Sequence, residues 1–184
     1  IPGINHPSVV SYADLILGKV PKGNNVAIIG AGGVGFDVAT FLAHDNAYDI
    51  DSFLSSWQVD KSFTVPGGLL TEKANHNIQR TIYLLQRSPG KQGKSLGKTT
   101  GWIHKKELHK RGVQSISGVA YEKIDDDGLH IKRENGVHEC LKIDQIVICA
   151  GQLPVFDPSF SIPDFSGKIH WIGGVKEAKE LDAK

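Results

Sequence analysis

The apolar run Val26-Ala27-Ile28-Ile29 breaks off in Gly30-Ala31-Gly32-Gly33-Val34-Gly35, and no other stretch constrains the fold of this chain as tightly. An apolar run without polar alternation reads as a strand buried on both faces, the habit of a parallel sheet. The spacing G-x-G-x-x-G falls on Gly30, Gly32 and Gly35. Gly30 permits the tight turn, Gly32 lets the main chain approach a pyrophosphate, and Gly35 lets the next helix lie close to the strand. The N–H groups and positive dipole end of that helix then face the phosphates, with Gly33 inside the same turn. Val34, Val38, Phe41 and Leu42 keep helical spacing and predict a helix from about Val34 to Ala43. A glycine-rich turn alone is a weak signal, but strand before and helix after make this one a dinucleotide-binding turn.

A simple Rossmann unit would return at once to its second strand, whereas here the next convincing strand is Thr81-Ile82-Tyr83-Leu84-Leu85-Gln86. Residues 44–80 therefore read as an insertion, with Phe53, Leu54, Trp57 and Val59 at partly helical spacing and a Val65-Pro66-Gly67-Gly68 loop. Its acids Asp45, Asp49, Asp51 and Asp60 match no loop for a hard cation and are expected on a solvated face. The second strand runs into Arg87-Ser88. NAD-binding domains usually place an acid there for the ribose 2′-hydroxyl, and NADP-binding ones a cation for the 2′-phosphate, so Arg87 points to NADP.

From Arg87 to Arg111 there are eight basic residues against one acid, Glu107. A patch of this size suits a phosphorylated cofactor better than a nucleic-acid duplex, and the whole-chain charge of +1 argues against a globally basic nucleic-acid binder. Gly97-Lys98-Thr99 has the look of a phosphate loop, but Gly93 stands one residue too close and no strand directly precedes it. Trp102 to Arg111 reads as a helix stopped by Gly112, and Val113 to Ser117 as a third parallel strand. Tyr121–Ile124, Gly128–Lys132 and Val137–Leu141 alternate around Asp-Gly and Asn-Gly turns, the pattern of a three-stranded antiparallel meander. Asp144 to Ala150 is a further apolar strand ending at Gly151-Gln152, the sheet edge where such folds bind ligands. Beyond Pro154, Pro158 and Pro163, Ile169-His170-Trp171-Ile172 reads as a last strand, followed by Gly173-Gly174 and the start of a helix from Glu177.

The fold class is thus α/β: a Rossmann-like parallel sheet with flanking helices and an antiparallel three-stranded meander. Residues 1–25, opening with Pro2 and Pro7 and holding a short helical pattern behind Ser11, read as a connector. Residues 26–151 form the nucleotide-binding domain and 152–184 a return segment. A chain without methionine that opens on Ile1 is expected to be a piece of a longer one. Cys140 and Cys149, outside any C-x-x-C spacing, are expected reduced and buried, which fits a cytoplasmic protein. No run approaches the length of a membrane span.

Taken together, Val26–Gly35, Leu96-Gly97-Lys98-Thr99-Thr100-Gly101-Trp102-Ile103-His104, Lys123–His130, Ile148-Cys149-Ala150-Gly151-Gln152 and Ile172-Gly173-Gly174 carry a family resemblance. They resemble the C-terminal half of the bacterial NADPH-dependent 2,4-dienoyl-CoA reductases, flavoenzymes related to trimethylamine dehydrogenase. The resemblance implies a longer protein in which a barrel with FMN and a 4Fe-4S cluster joins an FAD domain, and an NADPH domain, this chain, is inserted into the latter. It implies hydride transfer from NADPH to FAD, with the barrel and FAD domains as partners in the same polypeptide. By position, Gly30, Gly32, Gly33 and Gly35 would hold the pyrophosphate, Arg87 and Ser88 the 2′-phosphate, and Gly151 the nicotinamide end. Lys98 belongs to a motif of the family that serves phosphate contact or packing. The barrel's catalytic acid and cluster cysteines have no counterpart here, so this chain alone is not expected to reduce a thioester. On the trimethylamine dehydrogenase side, the corresponding region resembles a holder of ADP, which leaves a non-catalytic nucleotide-binding domain as the alternative.

Overall fold

The computed structural model describes residues 1–44, 49–71, 79–94, 96–155, 166–176 and 178. Two compact units emerge, Ile1–Cys149 and Ala150–Lys184. Asp45, Pro158, Pro163 and Glu177 lie outside the described residues.

The first unit is built on β1 (Val9–Ser11), α1 (Tyr12–Ile16), β2 (Asn25–Ile29), α2 (Gly33–Ala43), α3 (Ile50–Ser56), β3 (Thr81–Gln86), α4 (Gly101–Lys110), β4 (Gln114–Ser117), β5 (Ala120–Asp125), β6 (Gly128–Lys132), β7 (His138–Leu141) and β8 (Gln145–Ile148). Five strands make one sheet in the order β1-β8-β2-β3-β4, and β5-β6-β7 make a second sheet. Every neighbouring pair in the larger sheet is parallel, and both pairs in the smaller one are antiparallel.

The unbroken apolar character of β2 follows from its place between two cores. Val26 and Ile28 point into a cluster with Leu15 of α1, Phe36, Val38 and Leu42 of α2 and Leu108 of α4. Ala27 and Ile29 point the other way, among Ile124, Leu129, Ile131 and Leu141 of the meander. With helices on one face and the meander on the other, neither face of the strand meets water, and alternation disappears.

Residues 1–25 do more than connect. Val9–Ser11 pairs with β8 as an edge strand, and the Ser11 hydroxyl accepts from the Asp14 N–H to cap α1, whose Leu15 is buried in the core. The insertion holds α3, capped by the Asp49 carboxylate accepting from the Ser52 N–H, and a loop closed by a bridge between Val59 and Leu69. Asp60 departs from the solvated face expected of it. Its carboxylate is buried in the loop and accepts from the N–H groups of Ser62, Thr64 and Val65 and from the Thr64 hydroxyl. These donors, the Val65 N–H first, hold its pKa below the usual carboxylate value. A buried acid in a loop is stable when the loop supplies its hydrogen bonds, and here it does.

The C-terminal end of α2 carries no basic residue of its own. Cations from three distant segments take its carbonyls instead: Lys22 reaches Phe41 and His44, Arg80 reaches Leu42, and Arg111 reaches Ala43. This places positive charge at the negative end of the helix dipole. His44 also meets Glu107 at 2.9 Å. Burial, with Arg111 alongside, nonetheless holds the His44 imidazole below its ordinary pKa.

The Asp125-Asp126-Asp127 segment is turn chemistry. Asp125 accepts from the Asp127 N–H and pairs with Lys123 and His130, contacts that hold its carboxyl below the usual range. No group of three or more His, Cys, Asp or Glu residues suited to a metal ion occurs among the described residues. Both cysteines are free, as expected, but half-buried rather than buried. Burial pushes the Cys149 thiol up to about 12, so it stays protonated at neutral pH.

In the second unit the described residues hold a single 3-10 turn, Gly173–Val175. The strand expected at Ile169–Ile172 is absent: these residues carry no ladder and their side chains are exposed. A β-strand is held by a ladder to a neighbouring strand, and residues 169–172 form none. Among the described residues, no helix is long and apolar enough to cross a membrane.

Candidate functional site

The turn after β2 is built as the glycine spacing requires. Gly30 takes φ +115°, a region that side chains disfavour, and its N–H donates to the Leu85 carbonyl of β3 at 3.0 Å. Gly32 is the N-cap of α2, and Gly33 opens the helix with no side-chain cap on its first turn. A Cβ on Gly35 would fall on the Gly30 carbonyl oxygen, with Leu84 just behind it. The helix can therefore lie this close to the strand only without a side chain at Gly35. No acidic residue of α2 stands in its first turn to offset the positive end of its dipole. The residues present thus fit a pyrophosphate: a glycine-rich helix N-terminus without an acidic residue in its first turn, at the carboxyl edge of a parallel sheet.

Arg87 and Ser88 follow β3 directly, on the strand next to the glycine turn: Ile29 is in register with Leu85. The main chain on both sides of Arg87 is pinned, since Val119 donates to the Gln86 carbonyl and Gly118 to the Ser88 carbonyl. The Gln86 side chain also donates to the Ser88 carbonyl. Between these anchors the Arg87 side chain is exposed, and it has no ion-pair partner among the described residues. A cation held at a fixed backbone position with its head in water is suited to an incoming phosphate. Tyr121 of β5 stands close by, a neighbour that sequence reasoning missed because it lies in the meander. Burial pushes its phenol up to about 12, against the opposing field of Arg87.

The basic stretch from Arg87 to Arg111 is divided by the fold. Lys110 lies 4.3 Å over the Trp57 ring and Arg111 is committed to α2 and Glu107. Lys91, Lys94, Lys98, Lys105 and Lys106 remain exposed. Lys98 sits in the turn leading into α4, where the Gly101 N–H donates to the Gly97 carbonyl, and neighbouring Trp102 is exposed with its indole N–H on the Thr99 carbonyl. Gly151, in the second unit, takes φ +83°.

A five-stranded parallel sheet with a glycine turn at its carboxyl edge, an arginine just past the adjoining strand and a meander beneath defines a Rossmann-like, FAD/NAD(P)-binding type of domain. Residues 2–159 match the family described as pyridine nucleotide-disulphide oxidoreductase, and the chain belongs to that family of FAD- and NAD(P)-dependent oxidoreductases. A metal reductase of Desulforamulus reducens is 24% identical over 185 residues, covering 95% of this chain and 25% of that protein. The chain thus spans about a quarter of this curated relative. Among solved structures, a 2-naphthoyl-CoA reductase superposes with a TM-score of 0.60 at 18% identity, covering 82% of this chain and 18% of that one. The 6-hydroxypseudooxynicotine amine oxidase of Pseudomonas geniculata gives 0.58 at 16% identity, covering 84% and 18%. At these identities the structures share the fold.

Proposed function

We propose that this chain is the NADPH-binding domain of a longer flavin and iron–sulfur oxidoreductase that reduces 2,4-dienoyl-CoA thioesters in unsaturated fatty acid β-oxidation in the cytoplasm. The observation that carries the NADPH reading is Arg87, an exposed guanidinium on pinned main chain one strand from the glycine turn. Bound NADPH supplies the hydride, and FAD, FMN and a 4Fe-4S cluster belong to the remaining domains of the longer protein.

The work of this chain is to bind and orient. Gly30, Gly32, Gly33 and Gly35 present main chain and the α2 dipole to the pyrophosphate. Arg87, with Ser88, holds the 2′-phosphate and so selects the phosphorylated dinucleotide. By the family resemblance, Gly151 would serve the nicotinamide end and Lys98 would add positive charge. The thioester assignment is supported by the motifs shared with the dienoyl-CoA reductases. A non-catalytic ADP-holding domain of an amine dehydrogenase or enone reductase is the second reading, and the likeness to an amine oxidase favours it. ADP has no 2′-phosphate, however, and would leave Arg87 without a ligand.

The test is an anaerobic assay of the longer polypeptide that contains this chain, following NADPH oxidation with a 2,4-dienoyl-CoA, 2-naphthoyl-CoA or an amine. Turnover with the dienoyl thioester, faster than with either alternative, is expected. Turnover with only one of the others, or none dependent on NADPH, would overturn the assignment.

A further inference from the structure

The insertion between α2 and β3 holds a tight loop whose shape one buried acid fixes. The Asp60 carboxylate takes the Ser62 N–H at 2.9 Å on one side of Phe63, and the Thr64 and Val65 N–H groups at 2.6 and 2.7 Å on the other. At the base of the loop the Asp60 N–H donates to the Gly68 carbonyl and the Leu70 N–H to the Gln58 carbonyl, beside the bridge between Val59 and Leu69. The main chain at Phe63 is thus gripped from both sides.

That grip sets Phe63 in a backbone conformation that a bulky side chain seldom occupies. Its φ is +56°, and Gln58, at +62°, is the other non-glycine residue with positive φ among the described residues. Glycine would sit here without strain. The Phe63 ring nevertheless stands 91% exposed, the most exposed large apolar side chain among the described residues, and Ile50, Leu69 and Leu70 of the same insertion are exposed too. Strain kept by a built loop, to hold an aromatic ring in water, marks a surface made for contact.

We infer that this loop docks the chain on another domain of the same longer polypeptide, with the Phe63 ring seated in an apolar recess of that domain. The metal reductase matched along 95% of this chain devotes only 25% of its length to the match, so most of that protein lies beyond the part this chain resembles. Size favours a tethered partner over a second copy. One aromatic ring buries about 150–250 Å², and the three partly exposed aliphatic side chains do not raise this to the ~800 Å² that each of two separate molecules buries in a stable complex. A tethered domain needs far less, because the connection holds the two surfaces at about millimolar effective concentration. The inference rests on this chain being part of a longer polypeptide, and on neither the dinucleotide nor the substrate proposed above.

Photo-cross-linking of the longer polypeptide, with p-benzoylphenylalanine in place of Phe63, tests the contact, and the joined peptides are mapped by mass spectrometry. A product of monomer mass that joins position 63 to a site outside residues 1–184 of the same molecule is expected. Phe63→Gly separates docking from local structure. Glycine adopts φ +56° freely, so the variant should stay folded by circular dichroism, yet limited proteolysis of the longer polypeptide should release this domain several-fold faster. Phe63→Leu, which keeps an apolar side chain, should fall between. Cross-links confined to residues 1–184, cross-links to a second copy, no cross-link, or a folded Phe63→Gly variant cleaved at the unmodified rate would overturn the inference. Neither readout uses NADPH or a thioester, so failure of this contact and failure of the proposed function are told apart.

Discussion

Arg87→Ala is expected to weaken NADPH binding by about 10- to 100-fold while leaving NADH affinity unchanged, the span of a charge-assisted hydrogen bond of about 1.5–3 kcal/mol. The guanidinium is exposed and has no ion-pair partner among the described residues, so the fold should not suffer from its removal. All of the loss is then read in the ligand that carries a 2′-phosphate. Added salt should narrow the NADPH preference of the unmodified chain, because an exposed cation is screened. Arg87→Lys should fall between the two, since an ammonium keeps the charge but loses the planar fork. An equal loss for NADH would mean that Arg87 acts elsewhere than on the 2′-phosphate.

Gly35→Val is expected to be the most damaging single change in the turn. The new Cβ would coincide with the Gly30 carbonyl oxygen, which belongs to main chain and cannot rotate away. Relief requires α2 to lift from β2, and Phe36, Val38, Ala39 and Leu42 would leave the core with it. We expect a loss of about 3 kcal/mol or more, the upper end for overpacking, and a melting temperature lower by roughly 6–12 °C. Dinucleotide binding should fall as well, because the N–H groups of α2 no longer converge on the turn. A variant that melts with the unmodified chain would show that the close approach is not needed.

The parts of this fold legible in the sequence are those where local pattern and tertiary place agree. β2, the glycine turn and α2 follow from residues 26–43 alone, because an apolar run, a glycine spacing and a helical period all demand one arrangement. Thr81–Gln86 and the meander hairpins were equally readable, since Asp-Gly and Asn-Gly fix their turns. Arg87 could be singled out because its position, one step past the second strand, is where domains of this type read the ribose 2′ position.

Other features depend on partners distant in sequence. β1 is three residues long and exists only because β8 returns beside it, with Val9 in register with Ile146. Nothing in Val9-Val10-Ser11 announces that pairing. Ile169–Ile172 shows the reverse, an apolar run that reads as a strand but forms no ladder. Asp60 looks like any loop acid until the loop folds its own N–H groups onto it. Gln92 is the clearest case: it is buried with its amide nitrogen donating to two carbonyls, Leu84 and Ile116, on separate strands. Polar side chains in loops owe their roles to geometry that no local period encodes.

The central claim is that this domain selects NADPH through the 2′-phosphate. Equilibrium titration of the unmodified chain with NADPH and NADH, at one salt concentration, tests it most directly. At least about 10-fold tighter binding of NADPH is predicted, the effect of one phosphate contact at an exposed arginine. Equal affinity for the two, or tighter binding of NADH, would contradict it.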